Sequence, residues 1–260
     1  MSRYLNRGQV PPASVSQNFL TSSRTIQRLV RRTNLCRDDH VIEIGPGKGH
    51  VTEVLARTCG RVTAVEIDPA MCTRTAQRTA GFRNITIINQ DFLTWRMPGC
   101  GTYKVFSNIP FCMTTQIIRK ISESPNPPAE TWLVMEKAAA RRFAGIPRES
   151  LRALLLKPNY EVEIICQLQR DDFHPRPSVD VVLFHMHKKD EPDILPERWR
   201  SYERFVTDGM TDAAGLLRRV FTKKQLSIAL KRAGMEFVPM SGEMRYVQWL
   251  CLFRSYLATH

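Results

Sequence analysis

Short apolar runs alternate with helix-like segments through the middle of this chain, and this alternation limits its fold more than any other feature. The early runs are largely apolar, as strands buried on both faces of a sheet require. Alternating strands and helices build a parallel, doubly wound sheet. The last two runs are joined through residues 173–178 with no room for a crossover helix, so the last strand should pair antiparallel. The seven strand-like runs are 40–44, 62–65, 85–88, 104–106, 131–135, 162–165 and 181–186.

The pattern changes after Lys188. Residues 190–196 resemble a linker, and the segments 203–210, 222–233 and 246–256 have helical spacing without strand alternation. The sequence therefore predicts an α/β domain over residues 1–189 and a small all-helical domain over residues 190–260.

A strong excess of basic residues indicates a polyanionic partner. The 260 residues carry a formal net charge of +13, from 38 lysines and arginines against 25 aspartates and glutamates, which favours nucleic acid. We expect no membrane partner, because the sequence has neither an apolar run of membrane-spanning length nor the apolar core of a signal peptide. The seven cysteines are scattered without a C-x-x-C pair. They predict no disulfide framework and no metal site, and they suit a reducing cytoplasm.

A glycine-rich turn at residues 45–49 (Gly-Pro-Gly-Lys-Gly) follows the first strand and opens a helix. Glycines permit a tight turn and let a ligand approach the backbone closely, which makes Gly45 and Gly47 candidate cofactor residues. The spacing is not that of a dinucleotide turn, and the lysine is not followed by the Ser or Thr of a phosphate-binding loop. Glu66 ends the second strand, where an acidic side chain can bind both hydroxyls of a ribose. A nicotinamide-dependent enzyme would share this arrangement.

Two further strands also end in polar residues. Asp91 closes the third strand, where it can accept a hydrogen bond from the amine of a cofactor adenine, and Asn108 closes the fourth. In open α/β folds, ligands bind along the edge where the strands end. Each acid alone is equally well a solvated strand end or a helix cap, but the four ends together predict one binding site.

The run at residues 107–111 (Ser-Asn-Ile-Pro-Phe) predicts the chemistry. It supplies the side-chain oxygen of Asn108, a main-chain carbonyl at Ile109 or Pro110 and the aromatic face of Phe111. Two acceptors could bind both hydrogens of an adenine N6 amine, while the ring stacks on Phe111. Pro110 restricts the preceding residue to extended conformations and so holds the carbonyl still. The alternative interpretation is an ordinary connection between a strand and a turn.

These motifs together resemble the ribosomal RNA adenine N6-methyltransferases, and the likeness extends from about Ser16 to the C-terminus. Residues 17–20 (Gln-Asn-Phe-Leu) match the family's segment that folds over S-adenosylmethionine. Residues 173–180 match its loop beside the target base. The resemblance implies a Rossmann-like class I methyltransferase sheet, with S-adenosylmethionine as cofactor. It assigns the cofactor to Asn18, Leu20, Gly45, Gly47, Glu66, Asp91 and Asn108.

Within the family the chain looks most like the Erm branch. Residues 221–225, 231–234 and 252–256 resemble the Erm C-terminal domain, and the helical region is short for the KsgA-type enzymes. Many members of the family have Tyr at the position of Phe111, and phenylalanine keeps the aromatic face needed for stacking. The implied function is mono- or dimethylation of one adenine N6 in 23S rRNA, conferring resistance to macrolides, lincosamides and streptogramin B. The flipped adenine would stack on Phe111 and Phe173. The implied partner is 23S rRNA before full subunit assembly, methylated by a monomer in the cytoplasm.

Three basic clusters are candidate RNA contacts, although charged clusters are more often solvated faces. The second cluster is the strongest candidate, because it follows the fifth strand and so lies near the active edge. The clusters are Arg24, Arg28 and Arg31; Lys137, Arg141 and Arg142; and Lys223 and Lys224.

Three other functions stay open. A KsgA-type enzyme would dimethylate adenines of small-subunit RNA, and a nucleic-acid-binding protein without catalysis could retain the same fold. A nicotinamide oxidoreductase is the least favoured, because the sequence offers nothing like a hydride-transfer acid or its proton relay.

Overall fold

A computed structural model of the chain describes residues 18–259, so Gln17 of the predicted cofactor-covering segment lies outside the described residues. The main sheet has seven strands in the order β4-β3-β2-β5-β6-β9-β7. Strand β9 runs antiparallel to both its neighbours, and the remaining pairs are parallel. All seven predicted strands are present, and the predicted antiparallel last strand is confirmed. The strands are β1 Phe19–Leu20, β2 His40–Ile44, β3 Arg61–Glu66, β4 Ile85–Asn89, β5 Lys104–Asn108, β6 Glu130–Glu136, β7 Tyr160–Leu168, β8 Phe173–His174 and β9 Val181–Lys188.

Several helices begin where the sequence supplies a capping side chain. Ser22 caps the first helix by accepting from the Thr25 N–H, and Asp68 caps the third ahead of Pro69. Thr222 and Gln225 form a capping box at the ninth. The helices are α1 Ser23–Val30, α2 His50–Thr58, α3 Pro69–Arg78, α4 Thr114–Ser122, α5 Lys137–Ala144, α6 Leu151–Leu156, α7 Trp199–Thr211, α8 Ala213–Val220, α9 Lys223–Arg232 and α10 Tyr246–Leu257.

Both faces of the sheet are buried, as the apolar strands predicted. Along β2, Val41 belongs to one hydrophobic cluster, whereas Ile42 and Ile44 belong to another on the opposite face. A third cluster fills the C-terminal helices and includes Leu154 of α6. The Tyr202 hydroxyl donates to the Leu154 carbonyl at 2.8 Å, so helices on both sides of residue 190 share this core. Within residues 18–259, no helix has the length and apolarity needed to cross a membrane.

A second sheet of two short strands was not predicted. Strand β1 pairs antiparallel with β8, with Phe19 opposite His174 and Leu20 opposite Phe173. Two-residue strands leave no periodic signal in a sequence, and this pairing joins positions far apart along the chain. It brings the predicted cofactor-covering segment against the predicted target-base loop.

Candidate active site

The ends of β2, β3 and β5 open onto one cleft, beside the loop that follows β4. The cleft encloses about 840 Å³ when the open solvent at its mouth is included. Leu20 and Phe173 do not line it: they are 2% and 4% exposed and pack in the hydrophobic cluster on one face of the sheet. The predicted residues that do line it are Asn18, Gly45, Gly47, Glu66, Asp91, Asn108, Ile109, Pro110 and Phe111.

The glycine turn has a backbone that other residues rarely adopt. Gly45, Gly47 and Gly49 have φ of +64°, +56° and +76°, all in the left-handed region. The Thr75 hydroxyl donates to the Gly47 carbonyl at 2.9 Å, which fixes the turn against α3. A Cβ at Gly47 would lie 2.5 Å from a ring carbon of Phe19. Gly47 therefore needs to be glycine for two reasons, its conformation and the aromatic ring above it.

Glu66 holds the turn to the end of β3. Its carboxylate accepts from the Gly47 N–H at 3.1 Å and, through the other oxygen, from the Asp68 N–H at 3.0 Å. The residue is 2% exposed. A carboxylate offers about four acceptor positions, so both oxygens keep capacity for the hydroxyl donors of a ribose.

Asp91 begins a loop that is held rigidly at the cleft. Its Oδ1 accepts from the Leu93 N–H at 2.8 Å. The Lys120 ammonium donates to the carbonyls of Leu93 and Trp95 at 2.8 Å and 2.6 Å, and lies 5.4 Å from the Phe92 ring centroid. Lys120 lies on α4, and no sequence signal connected it with this loop.

Asn108 has a buried acceptor atom that lacks a partner among the described residues. Its Nδ2 donates to the Asn18 carbonyl at 2.9 Å, while its Oδ1 is buried and accepts no hydrogen bond in this part of the chain. Such groups are rare in proteins. Because Asn108 lines the cleft, the arrangement fits a ligand that donates an N–H or O–H there.

The backbone next to Asn108 supplies the second acceptor. The Pro110 carbonyl already accepts from the Met113 N–H at 3.0 Å, which leaves the Ile109 carbonyl as the better candidate of the two predicted. Phe111 is partly exposed at the cleft, so its ring can receive a base. A buried amide oxygen, a carbonyl and an aromatic face suit a planar base with an exocyclic amine.

Sequence reasoning missed the apolar lining of the cleft. Ile67, directly after Glu66, is 55% exposed and lines the cleft. An exposed isoleucine beside a carboxylate can cover the face of an aromatic ring. In a sequence, apolar residues at strand ends look like core residues, so no pattern distinguished the cleft-lining residues from the core. The other apolar lining residues are Phe19, Ile44, Val65, Phe92, Met113 and Ile117.

Glu43 is a buried acid that the sequence reading did not assign to the site. It lies on β2, two residues before Gly45, and is 2% exposed. Its pKa is raised from an ordinary 4.5 to about 8, mainly by burial; the Thr52 hydroxyl opposes this shift, and the negative charge of Glu66 adds to it. The side chain is therefore mostly neutral near pH 7. A neutral carboxyl avoids placing a second buried charge next to Glu66.

This shift predicts how stability changes with pH. Because the folded-state pKa exceeds the unfolded one, the contribution of Glu43 is complete below pH 4.5 and is lost as pH rises through about 8. The slope approaches about 1.4 kcal/mol per pH unit between those values. Glu43→Gln should flatten the fall in unfolding free energy between pH 5 and pH 8, measured by urea denaturation. The exposed Glu236→Gln should leave the slope unchanged, and an unchanged slope in Glu43→Gln would contradict the assignment.

The basic clusters lie on different parts of the surface. Arg24 and Arg28 are exposed on α1, and Arg31 follows that helix. Lys223 and Lys224 are exposed in the first turn of α9.

The cluster after β6 lies at the same sheet edge as the cleft. Lys137, Arg141 and Arg142 line a second, open cleft together with Arg170, which sequence reasoning did not select. Lys137 donates to Gln167 Oε1 at 2.7 Å, and Arg170 pairs with Asp180 at 2.7 Å. These contacts hold two of the four cations in place beside the active edge.

Comparison with known proteins finds relatives over almost the whole chain. Residues 12–256 match the family described as ribosomal RNA adenine dimethylase. An rRNA adenine N-6-methyltransferase of Limosilactobacillus reuteri is 35% identical over 241 residues, covering 93% of this chain and 95% of that protein. One from Escherichia coli is 33% identical over 244 residues, covering 93% and 95%.

Solved structures show the same fold. The crystal structure of the 23S rRNA methyltransferase ErmE superposes with a TM-score of 0.85 at 30% identity, covering 92% of this chain and 99% of that one. A dimethyladenosine transferase from Plasmodium falciparum superposes with a TM-score of 0.68 at 19% identity, covering 92% and 98%. The second likeness concerns the fold alone.

Proposed function

Because the chain belongs to the ribosomal RNA adenine dimethylase family, we propose that it methylates the N6 atom of one adenine in 23S rRNA, using S-adenosylmethionine. The observation that carries the proposal is the buried Oδ1 of Asn108, which has no hydrogen-bond partner within residues 18–259 and lies next to the Ile109 carbonyl and the Phe111 ring. This set of groups suits an adenine amine, and the same cleft presents Glu66 and Asp91 to a nucleoside cofactor.

The residues of the cleft fit S-adenosylmethionine. Glu66 would hold the ribose hydroxyls and Asp91 the adenine amine, with Ile67 against the ring. The turn at Gly45 and Gly47 would face the methionine part. The chemistry that bound S-adenosylmethionine supplies is an electrophilic methyl group on a sulfonium. Asn18 would close the cleft over the cofactor.

The target amine would be activated by hydrogen bonds. The N6 lone pair of adenine is delocalised into the ring, which makes the nitrogen a poor nucleophile. Acceptance of its two hydrogens by Asn108 Oδ1 and the Ile109 carbonyl would favour a more tetrahedral nitrogen. Phe111 would hold the base by stacking. Alignment of this kind can lower a barrier by about 7–11 kcal/mol. No residue is needed as a general base, since water can take the proton that the product amine loses.

The proposed RNA contacts are the basic clusters. Lys137, Arg141 and Arg142 are the strongest candidates, because they lie at the edge where the base would enter. RNA recognition of this type targets loops or junctions whose bases can be splayed out. Arg24, Arg28, Arg31, Lys223 and Lys224 would add contacts to the phosphate backbone, which weaken as salt is raised.

The large-subunit substrate is proposed from the relationship to ErmE, whose name specifies 23S rRNA. Methylation of that RNA before full subunit assembly would confer resistance to macrolides, lincosamides and streptogramin B. The enzyme would act as a monomer in the cytoplasm, with its C-terminal helices forming an RNA-binding domain.

The proposal is tested by mapping the modified base. Purified protein is incubated with labelled S-adenosylmethionine and, separately, with unmodified large- and small-subunit rRNA. Label on an adenine N6 in the peptidyl-transferase loop of 23S rRNA is the expected result. Label in small-subunit RNA would instead assign a KsgA-type function. The absence of transfer to either RNA would point to a nucleic-acid-binding protein without catalysis.

A further inference from the structure

The strand that covers the cleft is held by residues 172–174 of the loop before β9. The Thr21 N–H donates to the Asp172 carbonyl at 3.0 Å, which extends the β1–β8 pairing by one hydrogen bond. Leu20 and Phe173, opposite each other in this pair, are both buried in the core. The covering strand is thus seated on the protein and not free at the surface.

The Asp172 side chain makes a second link, to the start of α1. Its Oδ1 accepts from the Thr25 hydroxyl at 2.6 Å. Thr25 is itself part of the helix cap, since its N–H donates to Ser22 Oγ at 3.2 Å. A carboxylate beside a helix N-terminus is favourable, because the backbone N–H groups there carry partial positive charge. Asp172 therefore fixes both ends of the short connection between β1 and α1.

The other end of β1 reaches the reacting groups. The Asn18 carbonyl accepts from Asn108 Nδ2 at 2.9 Å, which turns the amide so that Oδ1 is the atom left for a ligand. The next residue, Phe19, packs over Gly47, and the Lys48 ammonium lies 5.0 Å from its ring centroid. A displacement of β1 would move both the cover of the cleft and the Asn108 amide.

We propose that Asp172 is a positioning residue for the methyltransferase site, acting through β1 on Asn108 and on the cover over the cofactor. Asp172 does not line the cleft, so it would influence cofactor binding without touching the cofactor. This inference rests on the proposed function, because it assumes that S-adenosylmethionine binds in the cleft.

The chain supplies a matched control beside Asp172. Asp171 lies in the same loop, but its side chain is 79% exposed and pairs at 3.3 Å with Arg176, which is 65% exposed. Affinity for S-adenosylhomocysteine is measured by calorimetry without RNA, for the wild type and for Asp172→Ala, Asp172→Asn, Thr25→Val and Asp171→Ala. Thermal unfolding of each variant shows whether it is folded at the temperature of the measurement.

Asp172→Ala and Thr25→Val should each raise the Kd by about 3- to 30-fold, less than the full value of one hydrogen bond to a charged group, because the bond acts on the cofactor only through β1. The double variant should bind no more weakly than the weaker single variant, because both remove the same bond. Asp172→Asn keeps an acceptor for Thr25 and should recover most of the affinity. Asp171→Ala should bind within about twofold of the wild type.

The outcomes separate the two proposals. A wild type that does not bind S-adenosylhomocysteine would contradict the proposed function. A wild type that binds, together with an Asp172→Ala variant of lower thermal stability but equal Kd, would assign Asp172 a purely structural role and overturn the inference. Equal weakening by Asp171→Ala would also overturn it.

Discussion

Asn108→Ala should abolish methyl transfer while the cofactor still binds. The variant removes the acceptor proposed for the target amine, at the position where the reacting nitrogen must be aligned. Removal of one hydrogen-bonding group aimed at a transition state costs about 10²–10³ in rate, and loss of alignment should add to this. Cofactor affinity should fall less than about tenfold, because Glu66, Asp91 and the glycine turn are unchanged. Single-turnover methylation and calorimetry with S-adenosylhomocysteine measure the two quantities separately.

Two further variants refine this prediction. Asn108→Asp keeps an acceptor for the amine but loses the donor to the Asn18 carbonyl, so it should retain more activity than Ala if acceptance is the main role. Asn159→Ala, at a residue that does not line the cleft, should behave as the wild type. Near-normal turnover by Asn108→Ala would refute the mechanism.

The ends of the parallel strands were the predictable part of this protein. Parallel strands that share a register place their last residues at one edge, so Glu66, Asp91 and Asn108 could be grouped from the sequence alone. The glycine turn was equally readable, because few backbones need three glycines at alternate positions. Nine of the eleven residues assigned from the sequence to the cofactor, the chemistry and base stacking line one cleft.

The contacts that set the fine geometry were not predictable. Asp172 looks like any polar loop residue until the β1–β8 pairing places it against Thr25, more than a hundred residues earlier in the chain. In the sequence, Lys120 has the appearance of a solvated helix residue, but in the structure its ammonium donates to two carbonyls of the loop after β4. Long-range hydrogen bonds of single side chains leave no periodic signal, so sequence reasoning has no means of finding them.

Leu20 and Phe173 show where a resemblance and a structure give different information. Family likeness assigned Leu20 to the cofactor and Phe173 to the target base. Their side chains lie instead in the core beneath the β1–β8 pair. Their contact with ligands remains a prediction. Leu20 would have to contact the cofactor through its backbone, and Phe173 would reach the target base only if its loop shifted. Their observed packing seats the strand whose neighbouring residues, Asn18 and Phe19, line the cleft.

Gly47→Ala should eliminate measurable cofactor binding. The new Cβ would lie 2.5 Å from a carbon of the Phe19 ring, closer than real Cβ contacts allow, and φ at this position is +56°. Left-handed backbone costs an alanine about 1–2 kcal/mol, and the turn or the ring must also move. Movement of the turn disturbs the Gly47 N–H bond to Glu66, the carboxylate proposed to hold the ribose, and movement of the ring disturbs the cover of the cleft. Calorimetry with S-adenosylhomocysteine measures the loss, and thermal unfolding measures the accompanying destabilisation.

Variants at two other glycines distinguish the effect of backbone strain from the effect of the collision with Phe19. Gly81 is exposed, has no positive φ, and a Cβ there would meet nothing within 4 Å, so Gly81→Ala should bind as the wild type. Gly45 has φ of +64° but also no neighbour within 4 Å. Gly45→Ala therefore introduces backbone strain without a collision inside the protein. A loss of binding larger than this strain explains would indicate that the cofactor touches the turn.

Phe19→Ala combined with Gly47→Ala should restore part of the stability, because it removes the colliding ring. Wild-type affinity in Gly47→Ala would show that the turn does not bear on the cofactor, and the cleft would need another ligand.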